Sequence, residues 1–144
     1  MRRERGFTLI ELLVVFGILA LIIGLAPVAF DRLRESSQYR DTVRTMLSQM
    51  RSARQRAVSE GQEVRWVVNL QQRSYGTDGD ASRALPDSLT VRTVIAGIEL
   101  TGEEASIRFL PTGGSTGGSI EVQRAPGVGT RLRVDWLSGR VTVE

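Results

Sequence analysis

The sequence predicts an α+β protein: a long N-terminal helix, membrane-spanning in its first half, packed on a C-terminal antiparallel β-sandwich or curled sheet. Three observations carry this. Residues 7–30 read FTLIELLVVFGILALIIGLAPVAF, with Glu11 as their one charged side chain. From Tyr39 the apolar residues fall at helical spacing, and beyond Gly61 the period changes to two. The expected segments are a leader at 1–6, an apolar helix at 7–30, an amphipathic helix at 31–61 and a β-rich head at 62–144.

The apolar run is long enough to cross a bilayer, for which roughly 20 residues suffice. Arg2, Arg3 and Arg5 stand just before it and favour a cytoplasmic leader with the rest translocated. A secretory signal peptide fits poorly. Cutting after Ala26 puts Pro27 next, and cutting after Ala29 puts that proline at the minus-three position. A plain signal anchor explains the length and the arginines but not Glu11, which costs up to roughly 2.5–3.5 kcal/mol at the centre of a membrane helix. Pro27 removes one helical hydrogen bond and predicts a kink, the alternative being a stretch that partly unwinds when the helix leaves the bilayer.

The second helical segment places Val43, Met46, Leu47, Met50, Ala53, Ala57 and Val58 on one stripe, ended by Gly61 as a C-terminal cap. Seven arginines against two acids lie between Arg32 and Arg56. Such an excess is a solvated face, or one drawn to anionic headgroups or acidic partners.

In the head, Val64, Trp66, Val68 and Leu70 alternate with Arg65, Val67 and Asn69 as a half-buried strand. Further strands are expected at 89–94, 98–100, 106–110, 119–124, 131–136 and 140–143, the last two joined by Leu137-Ser138-Gly139. Residues 75–89 carry no motif.

Cysteine, histidine and lysine are all absent; the 19 basic residues are arginines, and the net charge is +3. Disulfides, thiolate or histidine catalysis and zinc sites of the usual ligands are therefore excluded. Gly113-Gly114-Ser115-Thr116-Gly117 spells a serine-nucleophile elbow, but no histidine or lysine exists to serve as base. Gly113 to Gly118 has the spacing of a phosphate loop but is followed by Ser119 in place of lysine. Asp78-Gly79-Asp80 reads as a turn, since it lacks the further ligands of a calcium loop. No cofactor, metal or catalytic residue is expected.

Gly6-Phe7-Thr8-Leu9-Ile10-Glu11 resembles the cleavage signature of type IV pilins and type II secretion pseudopilins. The resemblance implies cutting after Gly6 by a prepilin peptidase, methylation of the new Phe7 amine, and pairing of that amine with Glu11 between subunits. It also implies melting of the helix near Pro27. The head adds a second likeness: Phe109, Pro111, Gly113, Gly118 and the closing Gly139 hairpin resemble the C-terminal pattern of H-type minor pseudopilins, the GspH/FimT-like family.

Together these imply a structural, non-enzymatic subunit of the type II secretion pseudopilus, near its tip, supporting export of folded proteins. Its implied partners are prepilin peptidase, other major and minor pseudopilins, and the inner-membrane assembly platform. It would sit in the inner membrane by a single pass, leader in the cytoplasm and head in the periplasm. The alternative is a type IV pilus minor pilin used in assembly or DNA uptake, and a third class is a membrane-anchored periplasmic enzyme. The DNA-uptake alternative makes Arg131, Arg133 and Arg140 candidate nucleic-acid contacts, although no stacking aromatics or basic tail accompany them, and nucleic acid is not an expected partner.

Overall fold

The computed structural model describes residues 7–95, 100–101, 104–125 and 127–144, with the chain path alone at 25–33, 100–101 and 125. The chain forms two compact units, residues 1–36 and 37–144. One helix, α1 (Leu9–Glu60), contributes to both.

In the first unit the described side chains of α1 from Leu9 to Gly24 are apolar apart from Glu11. Its large side chains from Phe7 to Ile23 are 44–81% exposed. Thr8 is the N-cap: its Oγ1 accepts the Glu11 N–H at 3.3 Å, and its carbonyl accepts the Leu12 N–H at 3.2 Å. The helix continues through Pro27. Among the described residues no helix is long and apolar enough to cross a membrane. The apolar helical residues with described side chains, 9–24, rise about 24 Å at 1.5 Å each, short of the roughly 30 Å hydrocarbon core.

In the second unit α1 buries one stripe. Met46, Met50, Ala53 and Ala57 are fully buried, with Tyr39, Val43 and Leu47 at its margin. Val58, expected on the stripe, stays 45% exposed on its flank. The helix stops at Glu60 because Gly61 takes a left-handed conformation, φ +67°, the usual geometry just past a helix end.

Among the described residues nine strands follow: β1 (Val64–Asn69), β2 (Ser74–Thr77), β3 (Arg83–Ala84), β4 (Thr90–Val94), β5 (Leu100–Thr101), β6 (Glu104–Phe109), β7 (Gly118–Ala125), β8 (Val128–Val134) and β9 (Val141–Val143). They form two antiparallel sheets, ordered β3-β2-β1-β6-β5 and β4-β7-β8-β9. Period two sets the inward faces. Val64, Trp66 and Val68 of β1 sit opposite Phe109, Ile107 and Ala105 of β6. In the second sheet Val91 faces Val122, Ile120 faces Leu132, and Val134 faces Val141. These side chains and the α1 stripe make one buried cluster. Trp66, fully buried, donates its indole N–H to Gln49 Oε1 on α1 at 3.1 Å, so the largest core side chain also satisfies its polar atom.

Strands β2 and β3 were not expected. In β2, Ser-Tyr-Gly-Thr offers one large apolar residue and no alternation. Gly76 within it lies close to the segment before β3: a Cβ there would stand 3.3 Å from the Ser82 Cα. Burial pushes the Tyr75 phenol up, an effect partly offset by the charge of Arg83 and a hydrogen bond with Thr42. The strand expected at 98–100 falls largely outside the described residues, and the described piece is β5.

Candidate assembly surfaces

Three regions contain the residues singled out from sequence. The first is the helix start. Gly6 lies outside the described residues. Phe7 is 74% exposed, just before the Thr8 cap. Glu11 is the third helical residue and the one acid of the first turn. Thr8-Leu9-Ile10-Glu11 therefore has the order of a capping box, and the helix dipole favours a carboxylate there. Of Pro27 only the helical chain path is described.

The second region is the glycine-rich loop with the closing hairpin. Phe109 ends β6 fully buried. Leu110 to Gly113 form a tight turn, with the Gly113 N–H on the Leu110 carbonyl at 2.9 Å and Pro111 at the position where its fixed φ suits a turn. The Ser115 hydroxyl donates to the Asp135 carbonyl at 3.0 Å and accepts the Gly117 N–H at 3.0 Å. The loop is thereby tied to the β8–β9 hairpin. There the Asp135 carboxylate accepts the Ser138 N–H at 2.8 Å and hydroxyl at 2.7 Å. Those two bonds hold its carboxyl below the usual carboxylate range, hydroxyl first.

Gly139 has φ +62°, and a Cβ on it would lie 2.4 Å from the Gly113 carbonyl oxygen. The two glycines, 26 positions apart in sequence, thus meet backbone to backbone. Arg54 of α1 completes the junction, its Nε donating to the Ser138 carbonyl at 2.9 Å and the Gly113 carbonyl at 3.2 Å. Sequence reasoning counted Arg54 only among the arginines of a solvated face. Nothing in its spacing distinguishes it, because its partners are carbonyls more than fifty residues away. Gly118 sits apart, where β7 starts, with space for a Cβ closed by the Val94 carbonyl at 3.1 Å.

The third region is the outer face of the second sheet. Arg131 and Arg133 alternate with buried Leu132 and Val134. Arg131 pairs with Glu121 at 3.8 Å and Arg133 with Glu144 at 3.6 Å. Arg140 does not join them: it lines a groove beside α1 with Arg51 and Arg54. The three candidate nucleic-acid contacts are therefore split, two of them already facing carboxylates.

A family model described as Type II transport protein GspH matches residues 42–139, and one described as Prokaryotic N-terminal methylation motif matches residues 1–27. The chain is 31% identical over 143 residues to the Type II secretion system protein H of Xanthomonas campestris pv. campestris, covering 97% of this chain and 83% of that protein. In fold it is similar to the minor pseudopilin EpsH from the Type 2 Secretion System of Vibrio cholerae, with a TM-score of 0.60 at 10% identity, covering 74% of this chain and 96% of the other. It is also similar to the type IV minor pilin FimU of Pseudomonas aeruginosa, with a TM-score of 0.57 at 14% identity, covering 78% and 92%. At those identities the structural likenesses speak for the fold alone, whereas the family match spans more than half of the sequence. The chain belongs to the GspH family of type II transport proteins.

Proposed function

We infer that this protein is a minor pseudopilin, a structural subunit of the type II secretion pseudopilus that supports export of folded proteins, with no reaction of its own. The observation that carries this is an exposed apolar helix start, Phe7 to Ile23, on a chain whose residues 42–139 match the GspH family. Water does not tolerate such a surface on a monomer, so it needs lipid before assembly and neighbouring helices after it.

In this reading prepilin peptidase cuts after Gly6 and the Phe7 amine is methylated, as the N-terminal methylation motif suggests. Residues 7–30 anchor the precursor in the inner membrane as a single pass, and the head lies in the periplasm. The sequence supports that span by its length of apolar residues. The assembled subunit meets other major and minor pseudopilins near the filament tip and is raised by the inner-membrane platform. Pro27, where one helical hydrogen bond is lost, kinks the helix without ending it. In this reading nucleic acid is not a partner, and the β8 arginines serve the sheet, Arg131 beside Glu121 and Arg133 beside Glu144.

Deleting the gene tests the reading directly. Exoproteins should accumulate in the periplasm while piliation and DNA uptake stay normal. Normal secretion with failed piliation or uptake would move the protein to a type IV pilus. Processing is tested separately by mass spectrometry of Gly6→Ala, which should keep its leader, and full processing of that variant would remove the cleavage assignment.

A further inference from the structure

A groove of about 720 Å3 runs between α1 and β9, within the range of roughly 300–1,000 Å3 typical of ligand sites. One wall carries Arg51 and Arg54 of α1, the other Arg140 and β9. No acid lines it. Six arginines of the second unit, Arg56, Arg65, Arg73, Arg108, Arg131 and Arg133, have carboxylate partners. Among the described residues Arg51, Arg54 and Arg140 have none; Arg40, Arg44, Arg83, Arg92 and Arg124 also have none but do not line the groove. The Nε of Arg54 is held by two carbonyls, which fixes its guanidinium at the end of the groove, with one terminal nitrogen beside Gly113.

The strand wall adds a direction. β9 ends the order of its sheet, and no described strand pairs with its far edge. The hydrogen bonds to β8 say which groups that edge offers. Asp135 N–H donates to the Arg140 carbonyl at 3.0 Å, and Arg131 and Glu144 exchange both bonds, at 3.0 and 2.8 Å. Bonded and non-bonded positions alternate along an antiparallel pair. Arg140, Thr142 and Glu144 therefore turn their peptide groups toward β8, while Val141 and Val143 turn theirs outward. Val143 also leaves its side chain 52% exposed.

We propose that this groove takes an extended acidic segment of a partner protein as an added strand along β9. The segment pairs with the peptide groups of Val141 and Val143, about 4.8 Å from β9. Its carboxylates meet Arg51 and Arg140, the two arginines of the groove that no described carbonyl holds. Main-chain bonds along a sheet edge supply affinity and side chains supply selectivity, and guanidinium–carboxylate bonds are among the stronger polar contacts. A nucleic-acid backbone would answer the charge but has no use for two outward peptide edges.

The test is a titration of the full-length, 15N-labelled protein in detergent micelles. The probes are a blocked Val-Glu-Val-Glu-Val peptide, its Val-Lys-Val-Lys-Val counterpart and a single-stranded oligothymidylate. The acidic peptide should shift the Val141 and Val143 amides and bind at least tenfold more tightly than the lysine peptide. The double variant Arg51→Glu, Arg140→Glu, both exposed positions, should reverse that preference while the Trp66 and Leu132 amides stay put. Val143→Pro removes an edge donor that β8 does not use and should weaken the acidic peptide at least tenfold. The proposal is overturned if the acidic peptide leaves both amides unmoved, or if either variant binds it as tightly as wild type. Tighter binding of the oligothymidylate at the same amides would overturn it too. None of these readouts involves secretion, so the result stands apart from the pseudopilin reading.

Discussion

Gly139→Ala and Gly61→Ala form a controlled pair. Both glycines hold left-handed backbone, φ +62° and +67°. An alanine in that conformation costs roughly 1–2 kcal/mol, reduced by about 0.4–1 kcal/mol because the unfolded chain loses freedom as well. At Gly61 nothing lies within 4 Å of a new Cβ, so the net cost is about 1 kcal/mol. At Gly139 the Cβ falls 2.4 Å from the Gly113 carbonyl oxygen and 3.0 Å from Arg54 Nε. A backbone oxygen cannot rotate away, so the hairpin must shift. Overpacking of this kind costs roughly 1–3 kcal/mol. The shift also loosens the two Arg54 bonds, worth about 1 kcal/mol once solvent at this half-exposed residue is allowed for. Gly139→Ala should therefore lose about 3–5 kcal/mol. Urea unfolding of the full-length protein in detergent, followed by tryptophan fluorescence, reads both variants at unchanged slope. If the two substitutions cost the same within about 1 kcal/mol, the backbone contact between the two glycines is not what requires Gly139.

Arg54→Met keeps the aliphatic stem and removes both carbonyl bonds. It should cost about 1–2 kcal/mol, and combined with Gly139→Ala the losses should fall short of additive, since one junction is broken twice. Thr8→Val should weaken the helix start by about 1 kcal/mol, read as faster hydrogen exchange at the Glu11 amide. Asp135 has its carboxyl lowered in the folded state by Ser138, so its contribution is present above the ordinary carboxylate value and lost as pH falls through the folded one. The stability gap between wild type and Asp135→Asn should be level near neutrality and shrink in acid, and a gap indifferent to pH would remove that assignment.

What was legible in the sequence was what repeats. The α1 stripe announces itself every three or four residues from Tyr39, and β1 announces itself by strict alternation because one face meets the core and the other water. Gly61 was legible because a helix end has few chemistries. β2 was not, since its four residues, Ser-Tyr-Gly-Thr, carry no apolar period. The junction of Arg54, Gly113 and Gly139 was half legible. The glycines stood out by resemblance to a family, but their reason is a backbone-to-backbone approach across a long sequence gap. Arg54 was lost among six other arginines of the same helix. Arg131 and Arg133 stood out only as candidate contacts, and their carboxylates were not legible because Glu121 on β7 and Glu144 just past β9 are brought to them by strand register.

Glu11 is where sequence and structure lead to a sharper experiment than either alone. From sequence it is an insertion cost of up to roughly 2.5–3.5 kcal/mol, offset by the amine of a neighbouring subunit. The capping geometry supplies a second offset inside the chain. The first turn leaves backbone N–H groups without helical partners. Thr8 takes one of them, and a carboxylate at the third position gains about 0.3–1 kcal/mol from the helix dipole, up to about 2 when partly buried. That is less than the full cost, so capping alone does not account for a charged residue here. Glu11→Gln separates the two roles, because glutamine serves a capping box as glutamate does but cannot neutralise an amine. The variant should insert, be cleaved after Gly6 and keep the Thr8-capped start, with exchange at residue 11 like wild type. Its incorporation into filaments should nonetheless fall severely. Wild-type incorporation of Glu11→Gln would leave the cap as the residue's whole role and remove amine pairing from the assembly mechanism.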